Sequence, residues 1–253
     1  MKDILGQAIA DRFYRNSSAR LTVHARWGEK PDGRPIGSST EIMPVKTYFR
    51  DGDDMPELEW IALQHCRGRI LDIGAGAGSH SLFLQKMGLD VTALDISPLN
   101  AKVIKDRGVK KVLRRDFFTL QPAKVAPYDT LLLLMNGIGL AATLDGLHLF
   151  LQKARTLLRP GGALIFDSSD VAYLYHDRPP KKGPSARPGG PSSGHYYGEI
   201  FYQYEYRRQR TDWFKWLFVD KRTLRRIAAS EGWKMQPLFE DKFDQYLAEL
   251  RPG

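Results

Sequence analysis

The stretch Asp72-Ile73-Gly74-Ala75-Gly76-Ala77-Gly78-Ser79-His80 has residue types and spacing suited to holding a ligand. Glycines at alternate positions let the backbone take positive φ and lie against a ligand with no side chain between. Ser79 opens a predicted helix with apolar positions Leu82, Phe83 and Met87. Backbone N–H groups at such a helix start attract anionic or carbonyl groups. The spacing is G-x-G-x-G, whereas a dinucleotide turn needs G-x-G-x-x-G. Further carboxylates follow: Asp95, 19 residues beyond Gly76, and Asp116, next to Phe117. A carboxylate can accept from two vicinal hydroxyls, and a base edge is read through a few directed hydrogen bonds.

These residues need elements to hold them, and the apolar pattern supplies the elements. Strands are predicted at 70–73, 90–95, 111–115, 128–134 and 163–167. Between them lie predicted helices at 79–87, from Ser97-Pro98 to about Arg107, and over Leu144, Leu147, Leu151, Ala154 and Leu158, the last stopped by Pro160-Gly161-Gly162. Strand–helix alternation of this kind means a parallel sheet with helices on both faces. Such a sheet binds ligands at the carboxyl ends of its strands. Asp72, Asp95, Asp116 and the Met135-Asn136-Gly137 segment stand at or near those ends.

Upstream, residues 4–14 carry one apolar helical stripe, 21–27 reads as extended, and 28–40 reads as loop by composition. Pro56 starts a helix over Leu58, Ile61, Ala62 and Leu63. Downstream, residues 177–194 are rich in Pro, Gly and Ser and predict an inserted loop. Period-two alternation through Tyr196–Arg207, a turn at 209–212 and a second extended run at 213–219 predict a hairpin. Asp220 caps a helix that Gly232 ends, and strands follow at 233–239 and 245–250. The predicted organisation is an N-terminal lid over 1–55 and a core domain over 56–253, with inserts at 177–195 and 196–219.

Composition narrows the class. At 253 residues the chain suits one large domain or a domain with an appendage. No apolar run approaches the roughly 20 residues of a membrane span, and the start has no signal-peptide pattern. A single cysteine, Cys66, permits no intrachain disulfide, as in a reducing cytoplasm. A net charge of +9 leaves an anionic partner open. Its basic clusters are Lys110-Lys111 with Arg114-Arg115, Arg207-Arg208-Gln209-Arg210, and Lys221-Arg222 with Arg225-Arg226.

The pattern Asp-x-Gly-x-Gly-x-Gly after a strand resembles the first motif of the class I, Rossmann-like methyltransferases that use S-adenosylmethionine. Asp95, Asp116-Phe117 and the Arg159-Pro160-Gly161-Gly162 turn also fall where that family has them. The resemblance covers residues 57–170 and extends to 220–250. It implies an α/β fold with a seven-stranded doubly wound sheet, mostly parallel, whose last strand slips in antiparallel beside the fifth. It implies S-adenosylmethionine as cofactor, with Asp72 at the methionine part, Asp95 on the ribose hydroxyls, and Asp116 with Phe117 at the adenine. Gly74, Ala75, Gly76, Gly78, Ser79, His80, Ile96, Met135, Asn136 and Gly137 complete the implied contacts. The alternatives are that Asp72 pins its loop, Asp95 caps the helix before Ser97, Asp116 pairs with Arg114 or Arg115, and His80 is satisfied by backbone.

Transfer from a sulfonium is an in-line displacement, so alignment can supply much of the rate, up to roughly 7–11 kcal/mol. Neither a metal nor a covalent nucleophile is required, and no metal-ligand spacing stands out. No general base is identified; His24, Tyr48, Asp170 and His195 are candidates by position alone. Tyr197, Phe201, Trp213 and Trp216 are candidates for an aromatic acceptor pocket, against simple packing on the sheet. Gly137-Ile138-Gly139 follows Asn136, unlike the Asn/Asp-Pro-Pro-Tyr/Phe pattern of amino-methylating nucleic-acid enzymes. More narrowly, residues 128–139 and Asp167-Ser168-Ser169-Asp170 resemble a bacterial branch of these enzymes, which implies a small-molecule acceptor without naming it. The alternative is an RNA, DNA or protein methyltransferase using the basic surface.

Overall fold

The computed structural model describes residues 2–30, 32–125, 127–175 and 196–253. The predicted insert at 177–195, His195 included, lies outside the described residues. In chain order the elements begin with helix α1 (Ile4–Arg15), strands β1 (Leu21–Trp27) and β2 (Gly37–Met43), and helix α2 (Glu57–His65). Then come β3 (Arg69–Ile73), α3 (Ser79–Lys86), β4 (Asp90–Asp95), α4 (Pro98–Asp106), β5 (Lys111–Arg114), the short α5 (Pro122–Val125), β6 (Tyr128–Leu133), α6 (Leu144–Leu157) and β7 (Leu158–Ser169). The chain closes with β8 (Glu199–Tyr206), β9 (Gln209–Arg210), β10 (Phe214–Leu217), α7 (Lys221–Ser230), β11 (Trp233–Glu240) and β12 (Gln245–Pro252).

Seven strands form one sheet in the order β11-β12-β7-β6-β3-β4-β5. The five inner and edge strands from β7 to β5 run parallel, and β12 enters antiparallel between β7 and β11. This is the expected doubly wound sheet. Its strands are apolar on both faces because both faces are covered. Leu71, Leu131, Leu133, Leu164 and Phe166 pack on the side of α6 and α7, while Ile70, Leu132 and Ile165 pack on the side of α2 and α3. Successive residues point to opposite faces, so one strand feeds two cores.

A second, antiparallel sheet has the order β10-β8-β1-β2, with β9 paired to β8. The N-terminal strands and the predicted hairpin, far apart in the chain, therefore build one structure: Leu21 stands opposite Tyr206 and Ala25 opposite Tyr202. Residues 37–40, expected as loop, are instead the start of β2. Their polar side chains hid a strand whose backbone is satisfied by β1. The hairpin turns at Arg207-Arg208, both at positive φ, two residues ahead of the expected turn. Met87 is exposed, and Leu84 is the buried apolar anchor of α3.

Helix starts are set by side chains. Asp3 caps α1 by accepting from Gly6 N, Ser97 caps α4 with Pro98 behind it, Thr143 caps α6, and Asp220 caps α7. Ser97 Oγ also donates to Asp3 Oδ2 at 2.6 Å. That bond fastens the N-terminal helix to the end of β4. No helix among the described residues is long and apolar enough to cross a membrane.

Candidate functional site

The carboxyl ends of β3, β4, β5 and β6 open into one cavity of about 770 Å³. The glycine-rich turn forms its floor. Gly74, Gly76 and Gly78 all have positive φ, but they serve different ends. A Cβ on Gly74 would meet nothing within 4 Å, so this backbone faces open space. A Cβ on Gly76 would stand 2.9 Å from the Tyr48 ring. Gly78 packs against Ile104 and Val109 and starts α3, outside the cavity wall. Two bonds to Leu94 O, from Gly74 N at 2.8 Å and Ala75 N at 3.1 Å, hold the turn to β4.

Asp95 is buried at the end of β4. It accepts from Ser97 N and Gly76 N, both at 2.9 Å, and from Asn100 Nδ2 at 3.3 Å. Burial outweighs these donors and pushes its carboxyl up to about 6. Asp95 thus lines the cavity while fastening the turn that leads into α4, whose cap is Ser97. Asp72, also buried, accepts from Ser81 Oγ at 2.6 Å, and burial raises its pKa as well. Asp116 holds the next turn by accepting from Phe118 N at 2.9 Å. No ion pair joins it to Arg114 or Arg115 among the described residues. Phe117 lines the cavity and stacks on Phe150 with centroids 4.5 Å apart. Ile96 lines the mouth and is 67% exposed.

His80 is held by a carboxylate rather than by backbone: Nε2 lies 2.9 Å from Glu59 Oε2. Burial acts to lower its pKa, but the bond to Glu59 and the charges of Asp72 and Glu59 raise it overall. Glu59 in turn pairs with Arg50. This buried Arg50–Glu59–His80 chain escaped the sequence reading, because its members come from three separate segments. Ser79 Oγ donates to Tyr48 O at 2.8 Å, closing the N-terminal segment over the turn.

On the β6 side, Met135 and Asn136 are consecutive non-glycine residues at positive φ, 62° and 55°. Such backbone costs roughly 1–3 kcal/mol per residue unless held. Asp167 holds it: both of its carboxylate oxygens accept from Asn136 N at 2.9 Å. Asn136 Oδ1 accepts from Ser169 Oγ at 3.1 Å. Asp167 is fully buried, with its pKa raised to about 6. Met135, Asn136 and Gly137 all line the cavity.

The roof is the inner face of the second sheet, with Tyr202, Tyr204, Phe214 and Trp216. Trp216 lies so close to Gly139 that a Cβ there would come within 2.0 Å of Nε1. The four aromatic candidates for an acceptor pocket separate: Trp216 lines this cavity, Phe201 and Trp213 line a second hollow of about 330 Å³, and Tyr197 is core, donating to Asp170 at 2.7 Å. Alternate residues of a strand face opposite ways, which places Phe201 outside and Tyr202 and Tyr204 inside. The candidate bases separate too. His24 sits on the outer face between Thr40 and Glu205, Asp170 is outside the cavity wall, and Tyr48 lines the cavity. Tyr48 donates to Met43 Sδ at 3.2 Å, and burial raises its pKa, so at neutral pH it is a donor, not a base.

Two cavity-lining polar groups hold a buried atom with no hydrogen-bond partner among the described residues: Arg50 Nε and Asn100 Oδ1. Several basic residues flagged by charge are neutralised locally. Arg207 pairs with Asp11 at 3.0 Å, Arg210 with Glu205 at 2.6 Å, Lys111 with Asp90 at 2.6 Å, and Lys221 with Glu240. Among the described residues no cluster of three metal-ligating side chains occurs.

Residues 71–166 match the family model described as a methyltransferase domain. A crystal structure of an S-adenosylmethionine-dependent methyltransferase from Bacteroides fragilis, in complex with S-adenosyl-L-homocysteine, is 38% identical in sequence. The match covers 100% of this chain and 95% of that one, with a TM-score of 0.83. An S-adenosylmethionine-dependent methyltransferase from Clostridium acetobutylicum shares the fold at 12% identity, over 79% of this chain and 94% of that one (TM-score 0.57). So does a sugar N-methyltransferase from Streptoalloteichus, at 16% identity over 83% and 94% (TM-score 0.53). No curated protein has a significant sequence match to the chain.

Proposed function

Because the chain belongs to the S-adenosylmethionine-dependent methyltransferases, we propose that its methyl acceptor is a small molecule held beneath the second sheet. The observation carrying this reading is the cavity itself. It runs unbroken from the glycine-rich turn to the aromatic inner face of β8 and β10. Ligand pockets span roughly 300–1,000 Å³, so 770 Å³ suits the cofactor together with a compact acceptor.

The residues present fit the cofactor. Gly74 offers open backbone, and Asp95 is a buried acceptor on the cavity lining. In this reading Asp95 accepts from the ribose hydroxyls, Asp72 faces the amino-acid end, and Phe117 with Asp116 meets the adenine. His80 backs the turn through Glu59, and Met135, Asn136 and Gly137 border the transfer point. When bound, S-adenosylmethionine supplies a methyl group already activated by its sulfonium. The chain's own contribution is alignment and the exclusion of water. Tyr48, fastened to Ser79, covers the turn, and Tyr202, Tyr204 and Trp216 wall the acceptor side.

The test is incubation with S-adenosylmethionine and a fractionated metabolite pool, followed by identification of the mass that gains a methyl. Methylation of a small molecule is expected. Label appearing only in RNA, DNA or protein overturns the reading.

A further inference from the structure

We infer that the acceptor presents a primary or secondary amine, and that the rings of Tyr202, Tyr204, Phe214 and Trp216 stabilise the positive charge its nitrogen takes on. This rests on the proposal that the acceptor sits beneath the second sheet. The four rings come from alternate positions of β8 and β10, so they share the inner face, and all of them line the cavity. They meet as walls. Phe214 stands opposite Tyr202 in the ladder, and their rings cross at 87° with centroids 6.3 Å apart. Phe214 and Trp216 cross at 80° and 6.4 Å, and Tyr204 closes on Phe214 at 65° and 5.1 Å. Gly139 makes room for the last wall, since any side chain there would strike the Trp216 indole. Aromatic faces attract cations, more strongly where water is excluded. Lys215, the one cationic side chain on these two strands, is turned elsewhere: Nζ pairs with Glu199 at 3.0 Å and lies over Phe201, and both of those residues line the second hollow.

The other half of the argument is the choice of nucleophile. A hydroxyl acceptor needs a base to take its proton as the new bond forms. Among the described residues, β8, β10 and the segment after β6 bring no carboxylate or imidazole to the cavity. The acids and the imidazole that line it stand on the opposite side and are engaged: Asp3 with Gly6 and Ser97, Asp95 with three donors, His80 with Glu59. Burial raises the pKa of the Tyr202 and Tyr204 phenols, so both keep their protons at neutral pH. A neutral amine needs no base. Its lone pair forms the N–C bond as the S–C bond breaks, and the bonding pair leaves on sulfur. The positive charge passes to nitrogen, which then loses a proton to water. Ring faces that favour this charge act on the transition state and not only on binding.

The test is transfer from S-adenosylmethionine labelled with carbon-13 at its methyl, with the fractionated metabolite pool as acceptor. The carbon shift of the labelled product tells a methyl on nitrogen from one on oxygen, sulfur or carbon. N-methyl is the expected result. Label on oxygen, sulfur or carbon overturns the inference and leaves the small-molecule reading standing; label in no small molecule overturns that reading beneath it. The rings are then tested with the active fraction. Trp216→Leu and Tyr202→Leu keep apolar bulk but lose the π face, and each is expected to lower kcat about tenfold or more. Affinity for S-adenosylhomocysteine, titrated calorimetrically, is expected to change less than about threefold. Tyr202→Phe restores the ring without the hydroxyl and is expected to recover most of what Tyr202→Leu loses. Equal losses with Phe and Leu at 202, or no loss with either Leu variant, overturn the role given to the rings. Thermal melts check folding, and the two positions lie on different strands, so a misfolded variant at one leaves the other to decide.

Discussion

On the proposed contact between Asp95 and the ribose hydroxyls, cofactor affinity is expected to depend on pH. The Asp95 carboxyl is pushed up to about 6 by burial, even with three donors on it. Hydroxyls donating to the ionised form would return the pKa toward its ordinary value near 4. Binding then favours the ionised residue and releases a proton whenever Asp95 starts protonated. At pH 5 only roughly a tenth of the free protein has Asp95 ionised, whereas at pH 8 nearly all of it does. Affinity for S-adenosylhomocysteine is therefore expected to be about tenfold weaker at pH 5 than at pH 8. The Asp95 contribution is isolated as the difference between wild type and Asp95→Asn, titrated calorimetrically at pH 5, 6, 7 and 8 in two buffers of unlike ionisation enthalpy. Proton release near pH 5 should appear in wild type and vanish in the variant. Equal pH slopes in the two proteins would refute the reasoning.

Asp167 gives a stability prediction of its own. Its folded pKa of about 6 lies above the unfolded value near 3.9, so the folded form binds more protons between those limits. That contribution is full below about pH 4 and is lost as pH rises through 6, worth on the order of 3 kcal/mol. Asp167→Asn keeps an acceptor for Asn136 N, and Gln245 can turn its amide to match. Urea unfolding at pH 7.5 should show the variant more stable by about 1 kcal/mol, with a flatter pH profile; a loss of stability counts against this account. Gly74→Ala has room for its methyl group but must keep φ near 73°. It should cost only about 1–2 kcal/mol of stability, while cofactor binding falls tenfold or more. Loss of stability without loss of binding would show that the cofactor does not lie on this turn. Tyr204→Phe removes a hydroxyl whose pKa burial pushes up to about 12. It should leave the melting temperature within about 2 °C and raise KM for the acceptor but not for S-adenosylmethionine. The reverse split of the two constants would place Tyr204 at the cofactor.

The sheet was legible because its signals are local. Apolar runs such as Leu131–Leu134, a glycine turn and strand-end carboxylates each occupy a few consecutive residues. The family's motif spacing then set the strand order. The second sheet was not legible as a unit, since its strands lie far apart and β2 is a polar edge strand with half its side chains in solvent. The Arg50–Glu59–His80 chain was hidden for the same reason: no spacing rule links residues from a short turn and two separate helices. Gly78 was legible from the motif alone; it precedes α3 at positive φ, where a Cβ would come within 3.2 Å of Ile104.

The pairing of β1 with β8 has a consequence for how the protein is made. His24 and Glu205 touch across 181 residues. During synthesis at about 5–20 residues per second, β1 waits roughly 10–40 s for its partner to leave the ribosome. Throughout that time the parallel sheet can form its first strands, but the roof cannot close. Nascent chains stalled before β8 should therefore expose Leu21, Val23 and Ala25 as an unpaired strand edge. The roof over the cavity is thus completed only after all five parallel strands of the main sheet have been made.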